Sequence, residues 1–255
     1  MKVKKRTKLQ LSNADLLRYN KHILLEEIQT DGLEILKQKH AAIIGLGGLG
    51  CPVAQYLSTS GLGKITLIDH DVVEETNLQR QILYTSEDLG LYKADVACKR
   101  LKMLNSDINI ESHNIKFTNN SVNLVRDVDI IIDATDNFKS RSLINRISLL
   151  LKKPLIMGAA IKMQGQVAVF RNDLFGMPCY NCLYDDIEDE MNSCIDLGVL
   201  SMLTGMIGSL QASEVIKTLI GFGESLESKL LLVDLKYMSF KTVKIVKDNK
   251  CKICN

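Results

Sequence analysis

A short apolar run, Ala41-Ala42-Ile43-Ile44, leads straight into Gly45-Leu46-Gly47-Gly48-Leu49-Gly50. A helix-like stretch to Ser60 follows, and then a second apolar run from Lys64 to Asp69. Strand, helix and strand within about 30 residues make a parallel βαβ unit, which commits the chain to an α/β fold. Glycines at this spacing allow a tight turn at a helix start, where unpaired N–H groups and the helix dipole attract phosphate. Asp69 closes the second strand 19 residues beyond Gly50, where a carboxylate can accept from ribose hydroxyls. Two bland readings compete: glycines kept only for helix-strand packing, and the turn of a dinucleotide oxidoreductase.

The remaining pattern extends the same architecture. Ser12 with Asp15 three residues on reads as a capped helix start carrying Arg18, with a second short helix near Gly32 to Lys39. Periodicity predicts helices over 93–104, 137–151 and 199–220, and strands near 108–111, 127–134, 154–158, 166–170, 229–234 and 239–246. The nearly all-apolar 127–134 run suits a strand buried on both faces. Residues 185–196, with five acidic side chains in their first six positions, read as an exposed crossover loop, placed at 183–198. With no repeat and no Pro/Ser-rich linker, the expectation is one domain over 1–255: a Rossmann-like mixed sheet flanked by helices, with 1–40 as N-terminal helices.

Composition excludes several classes. Thirty-two Lys and Arg against 30 Asp and Glu leave a net charge of +2, which argues against a nucleic-acid binder. The apolar 199–223 segment contains Gln211, Glu214 and Lys217, so it reads as a buried helix and no membrane span is expected. Its stripe of Met202, Met206, Ile207, Leu210 and Val215 reads as core or dimer interface. The charged start MKVKKRTK leads into no uninterrupted apolar stretch, so a cytoplasmic protein with reduced thiols is expected.

What surrounds the glycine turn favours a polyphosphate. Asp71 is followed by a loop with Asn77 and Arg80, and Lys93 opens the next helix, so several donors can meet one chain of phosphates. Asp136 and Asn137 follow the 127–134 strand at its carboxyl end, where open α/β sheets bind ligands. There Asp136 suits a Mg²⁺ ligand or, equally, the cap of the following helix. Cys179-x-x-Cys182 and Cys251-x-x-Cys254 are two knuckles whose four thiolates suit tetrahedral zinc; redox pairs or disulfides are the alternatives. Cys51 and Cys98 fall on predicted helices as small apolar residues, and His22, His40, His70 and His113 show no ligand spacing.

Nearly the whole chain resembles the MoeB/ThiF family of ubiquitin-activating-enzyme-like adenylyltransferases. The likeness is carried by RYNKHILL (18–25), GLGGLGCPVAQYLSTSGLG (45–63), DHDVVEETNLQRQ (69–81), ATDN (134–137), GAAIKMQGQVAVF (158–170), CYNC (179–182), GSLQASEVIK (208–217) and CKIC (251–254). The resemblance implies a homodimer that uses ATP and Mg²⁺ to adenylate the Gly-Gly carboxylate of a ubiquitin-fold sulfur carrier, ThiS or MoaD, releasing pyrophosphate. By the same resemblance, Gly45, Gly47, Gly48 and Gly50 line the nucleotide, with Gly48 closest to the phosphates. Asp69 is matched to the ribose ligand, and Asp71 and Asn137 border the site. Asn77, Arg80 and Lys93 match polyphosphate residues, Asp136 the Mg²⁺ ligand, and the four knuckle cysteines the family's zinc site. Arg18 matches an arginine inserted into the partner subunit's ATP site, although alone it reads as a solvated helix charge.

Cys194 matches a crossover position where some relatives carry a thiol that bonds to the carrier. An incidental cysteine fits equally well, since no Lys, Arg or His lies near it in sequence. The family's usual Pro after this point is missing from Gly198-Val199-Leu200-Ser201-Met202. RQILYTSEDL looks more like ThiF, while GAAIKMQGQVAVF and GSLQASEVIK look more like MoeB, so thiamine and molybdopterin biosynthesis both stay open. The chain stops just past Cys254, so a separate sulfur donor is expected. The competing functions are an NAD-dependent oxidoreductase and a non-catalytic carrier-binding module.

Overall fold

The computed structural model describes residues 10–184 and 198–255. The expected cap at Ser12 forms as a full capping box: the Ser12 hydroxyl accepts from the Asp15 amide, and the Asp15 carboxylate accepts from the Ser12 amide. Three short helices follow, α1 (Asn13–Arg18), α2 (Asn20–Ile23) and α3 (Gln29–Leu36). Asp15, paired to Lys37, fastens this N-terminal layer, and burial notwithstanding its carboxyl lies below the ordinary value because Lys37 and Ser12 hold the ionised form.

The core is one eight-stranded sheet in the order β3-β2-β1-β4-β5-β6-β7-β8. Its strands are β1 (His40–Ile44), β2 (Lys64–Ile68), β3 (Asn109–His113), β4 (Ile130–Asp133), β5 (Leu155–Ile161), β6 (Gln164–Phe170), β7 (Lys229–Asp234) and β8 (Ser239–Lys244). The first five are parallel and the last three antiparallel, which is the expected mixed sheet. Strand order reverses between β1 and β4, which pair with Ile44 opposite Asp133. Ligands of open α/β sheets sit at such a switch point, beyond the carboxyl ends of the strands.

Helices α4 (Gly50–Thr59), α5 (Lys93–Leu104), α6 (Phe138–Leu151), α7 (Tyr180–Leu183) and α8 (Ser201–Ile220) complete the chain. The 93–104 helix falls at its predicted bounds; α2 and α7, each four residues long, are too short for periodicity to reveal. Among the described residues no helix is long and apolar enough to cross a membrane. In α8, Ile207 and Val215 are buried and Met202 is exposed. Buried polar residues interrupt the expected apolar stripe: Gln211 donates to the Asp133 carbonyl at 2.8 Å, and Glu214 accepts from the Leu226 amide at 2.8 Å.

Helix α8 packs so closely that a Cβ on Gly208 would lie 2.4 Å from Pro52 Cγ and 2.5 Å from the Leu49 carbonyl oxygen of the glycine turn. Gly205, one turn earlier, has nothing within 4 Å of that position. The same substitution should therefore have opposite signs. Gly205→Ala should stabilise by up to about 1 kcal/mol through helix propensity. Gly208→Ala should destabilise by roughly 1–3 kcal/mol through overpacking. Urea unfolding of the two variants measures both, and a stabilised Gly208→Ala would refute the close approach.

Candidate nucleotide site and thiol cluster

Gly45 adopts φ +91°, a left-handed conformation, and a Cβ there would stand 2.8 Å from the Ala134 carbonyl oxygen. A Cβ on Gly50 would stand 2.0 Å from the Gly45 carbonyl oxygen. The turn can close only with hydrogen at both positions. Gly48 faces Thr204 of α8, 3.0 Å from its prospective Cβ, so helix packing is tight there as well. Leu49, at the cap of α4, has no side-chain capping bond; with the Cys51 amide on the Gly47 carbonyl at 3.0 Å and no N–H on Pro52, the Gly50 amide is the one this first turn leaves for an anion.

Leu46 ties this turn to its neighbours. Its amide donates to Asp69 Oδ2 at 2.6 Å, and its carbonyl accepts from the buried Tyr84 hydroxyl at 2.9 Å. The Asp71 amide donates to Asp69 Oδ1 at 2.8 Å, so both oxygens of the matched ribose ligand are engaged by backbone. Burial raises the Asp69 carboxyl above its ordinary value against these stabilising bonds. Lys93, at the start of α5, is 5% exposed and donates to Asp71 Oδ2 at 3.2 Å. Arg80 donates to the Thr76 carbonyl at 2.9 Å. His70 stands 3.5 Å from Asp71, and a ligand atom from each of Asp69, His70 and Asp71 lies within 4.8 Å of the others, a grouping that sequence spacing did not suggest.

Two buried side chains of the 75–81 loop keep unpartnered oxygens: Asn77 Oδ1, a residue the sequence marks as a candidate, and Gln81 Oε1, which it does not. The Gln81 amide nitrogen lies 3.6 Å from a prospective Cβ on Gly47. Buried polar atoms without partners are costly in a finished core, and a polar ligand or a bound water can satisfy them.

Across the switch point the cap question at Asp136 is resolved. Asn137 Oδ1 accepts from the Ser140 amide at 2.9 Å and caps α6, while Asp136 is exposed and accepts only from Asn137 Nδ2, at 3.2 Å, among the described residues. A carboxylate at that place is a hard oxygen donor, the type Mg²⁺ takes. Sequence reasoning missed Asp133 and Arg141. Asp133 is 1% exposed; its Oδ1 accepts from the Thr135 amide and hydroxyl at 2.9 and 2.7 Å, and its Oδ2 has no partner. Burial raises its carboxyl, partly offset by Arg141. The signal was present as a lone Asp ending an apolar strand and an Arg one turn into the next helix, but a single sequence offers no reason to pair them.

Arg18 lies elsewhere. It donates to the Leu104 carbonyl at 3.2 Å, at the end of α5 opposite Lys93, so within its own chain it stands apart from the glycine turn. Cys194 and residues 185–197 of the crossover loop lie outside the described residues.

The four knuckle cysteines converge. Cys179 and Cys251 sulfurs are 3.8 Å apart, Cys182 and Cys254 sulfurs 3.5 Å, and all four lie within 4.8 Å of one another. A tetrahedron with Zn–S bonds of about 2.3 Å has edges of about 3.8 Å, so the set fits zinc as free thiols rather than as disulfides. A buried amide network anchors it: Asn145 of α6 donates to Asn181 at 2.9 Å and accepts from Asn172 at 3.1 Å and from the Tyr180 amide at 3.3 Å. Cys51 is fully buried, which pushes its thiol up to about 12 and makes it inert.

The Asp133 carboxyl gives a pH signature. Its folded value is above the unfolded one, so its contribution to stability is present at low pH and lost as pH rises through the folded value. Unfolding free energy of the wild type minus that of Asp133→Asn, followed upward from about pH 4, should therefore fall; a difference that rises with pH would contradict the burial of this charge.

The ThiF family profile matches residues 19–253. A sulfur carrier protein adenylyltransferase of Thermus thermophilus is 39% identical over 252 residues, covering 96% of this chain and 93% of that protein. The molybdopterin-synthase adenylyltransferase of Escherichia coli K12 is 38% identical over 246 residues, covering 96% and 98%. The solved structure of PaaA superposes with a TM-score of 0.80 at 24% identity over 96% of this chain and 79% of that one, a likeness of fold. With this match the oxidoreductase alternative falls away: the chain belongs to the ThiF family and is a nucleotidyltransferase of the MoeB/ThiF type.

Proposed function

We propose that the chain uses ATP to adenylate the C-terminal Gly-Gly carboxylate of a ubiquitin-fold sulfur carrier, ThiS or MoaD. The observation that carries this reading is Asp136: released from capping by Asn137, it presents a carboxylate at the end of β4, across the switch point from the glycine turn. A diphosphate held by a glycine turn needs no such group, whereas a triphosphate undergoing displacement does.

The carrier carboxylate oxygen attacks the α-phosphorus, an acyl–phosphate bond forms as the α–β bridging bond breaks, and pyrophosphate leaves with that electron pair. The nucleophile is already ionised at neutral pH, so no general base is required. The work left to the protein is to bring two anions together. Glycine-turn amides and Lys93 take phosphate charge, Arg80 swings from the Thr76 carbonyl onto the polyphosphate, and Asp69 accepts from the ribose. Mg²⁺, held by Asp136, supplies further neutralisation of the phosphates when bound. Asn77 and Gln81 gain partners for their buried oxygens through the bound nucleotide and its waters.

The remaining assignments belong to the same proposal. Arg18, remote from its own glycine turn, serves the site of a partner subunit in a homodimer. The thiol cluster holds structural zinc, the sulfur donor is a separate protein, and the reaction proceeds in the cytoplasm. The family match makes a non-catalytic module the weaker reading.

Mg²⁺-dependent ATP/pyrophosphate exchange with purified ThiS and MoaD in parallel, read with intact mass of each carrier, tests the proposal. Exchange with one carrier and an adenylate mass on it are expected; exchange with neither, from folded protein, overturns it. Asp136→Ala should lower exchange by about two to three orders of magnitude with an unchanged melting temperature. Cys254→Ser should lose the metal, from one zinc per chain to well below one by elemental analysis, with a lower melting temperature. Full zinc occupancy in that variant would refute the four-thiolate site.

A further inference from the structure

The segment between β4 and α6, residues 134–137, has no ladder of its own, yet it carries the carboxylate assigned to Mg²⁺. Its two ends are fixed. The Ala134 amide donates to the Ile44 carbonyl at 2.9 Å, and Asn137 is locked as the cap of α6. Between them, Thr135 is gripped from both sides. Its amide and hydroxyl donate to Asp133 Oδ1, and its carbonyl accepts from Arg141 Nη2 at 2.9 Å.

The Thr135 carbonyl and the Asp136 amide share one rigid peptide plane. A donor on that carbonyl therefore fixes the plane from which the Asp136 side chain departs. We propose that Arg141 is a positioning residue that holds the 135–136 peptide so that Asp136 faces its metal. The guanidinium is itself oriented by packing over the Phe138 ring, 5.9 Å from its centroid, and its Nε is buried without a hydrogen-bond partner. Asp133 supplies the opposing charge at the other end of the clamp, with one oxygen on Thr135 and the other unpartnered.

A structural alternative makes a different forecast. If Arg141 served only to compensate the buried Asp133 charge, then removing both charges together would restore everything that removing Arg141 alone had damaged. If it sets the peptide plane, the double variant keeps a metal defect. The proposal rests on the adenylation reading only in taking Asp136 as the Mg²⁺ ligand.

The test compares wild type, Arg141→Met, and the Asp133→Asn/Arg141→Met double variant as full-length protein. Calorimetric ATP affinity is followed across a Mg²⁺ titration, with melting temperatures and pyrophosphate exchange alongside. The Mg²⁺ concentration giving half-maximal enhancement of ATP binding should rise about tenfold in Arg141→Met, the size expected for losing a group that orients a metal ligand. It should stay raised in the double variant, which also serves should Arg141→Met alone fail to fold. An unchanged Mg²⁺ dependence in either folded variant overturns the proposal. Wild type that binds ATP with Mg²⁺ but exchanges no pyrophosphate with any carrier would defeat the adenylation reading while leaving the Arg141 comparison readable. Wild type that binds no ATP would defeat both.

Discussion

The Gly45–Gly50 turn closes on itself and on its neighbours to the limit of atomic contact. Hydrogen at Gly45 lets β1 pass the Ala134 carbonyl, and hydrogen at Gly50 lets α4 start directly above the Gly45 carbonyl. From that closure follow the direction of α4 and the approach of α8 through Gly208. Tyr84 fixes the remaining freedom: its hydroxyl donates to the Leu46 carbonyl at 2.9 Å and lies 3.4 Å from the Lys93 carbonyl, binding the turn to the start of α5. Positions of the groups proposed to face the phosphates are thus consequences of one backbone constraint, supported by side chains that need not meet the nucleotide.

Charge is distributed around the switch point in a way that costs stability and yields geometry. Asp69 and Asp133 are both buried with raised carboxyls, and each is spent on backbone amides that hold a neighbouring loop. Helix α6 extends this order outward. Asn137, Arg141, Asn145 and Ser148 recur at intervals of four, four and three residues, one face of the helix. The first two grip the Asp136 turn, and the last two grip the segment leading to Cys179 and its knuckle. One rigid helix therefore spans the distance from the nucleotide turn to the thiol cluster.

The sequence disclosed what repeats a local rule. The βαβ unit, the N-cap of α1, the bounds of α5 and the convergence of two CxxC knuckles each follow from residues within a turn or a motif. Apart from the two knuckles, whose shared motif announces their meeting across 69 residues, it did not disclose what depends on two distant segments meeting. Asp136 and Asn137 are equally good caps on paper, and only the hydrogen bond from the Ser140 amide separates them. Gly48 reads as a ligand-facing glycine, yet Thr204, 156 residues on, also crowds it. Arg141 and Asp133 are an arginine on a helix and an aspartate on a strand until the fold places both on Thr135. Family resemblance supplied the role of Arg18; the chain's own geometry adds that this residue lies at the wrong end of α5 to serve its own turn.

On the proposed function, one opening, at the β1/β4 switch point, receives the nucleotide. A crystal structure with a non-hydrolysable ATP analogue and Mg²⁺ tests it most directly. Expected are phosphates against the 47–50 amides and Lys93, the ribose at Asp69 and the metal on Asp136. A nucleotide seated instead in the groove of Arg171, Lys217 and Lys229, beside the amino end of β5, with the glycine turn empty, would contradict it.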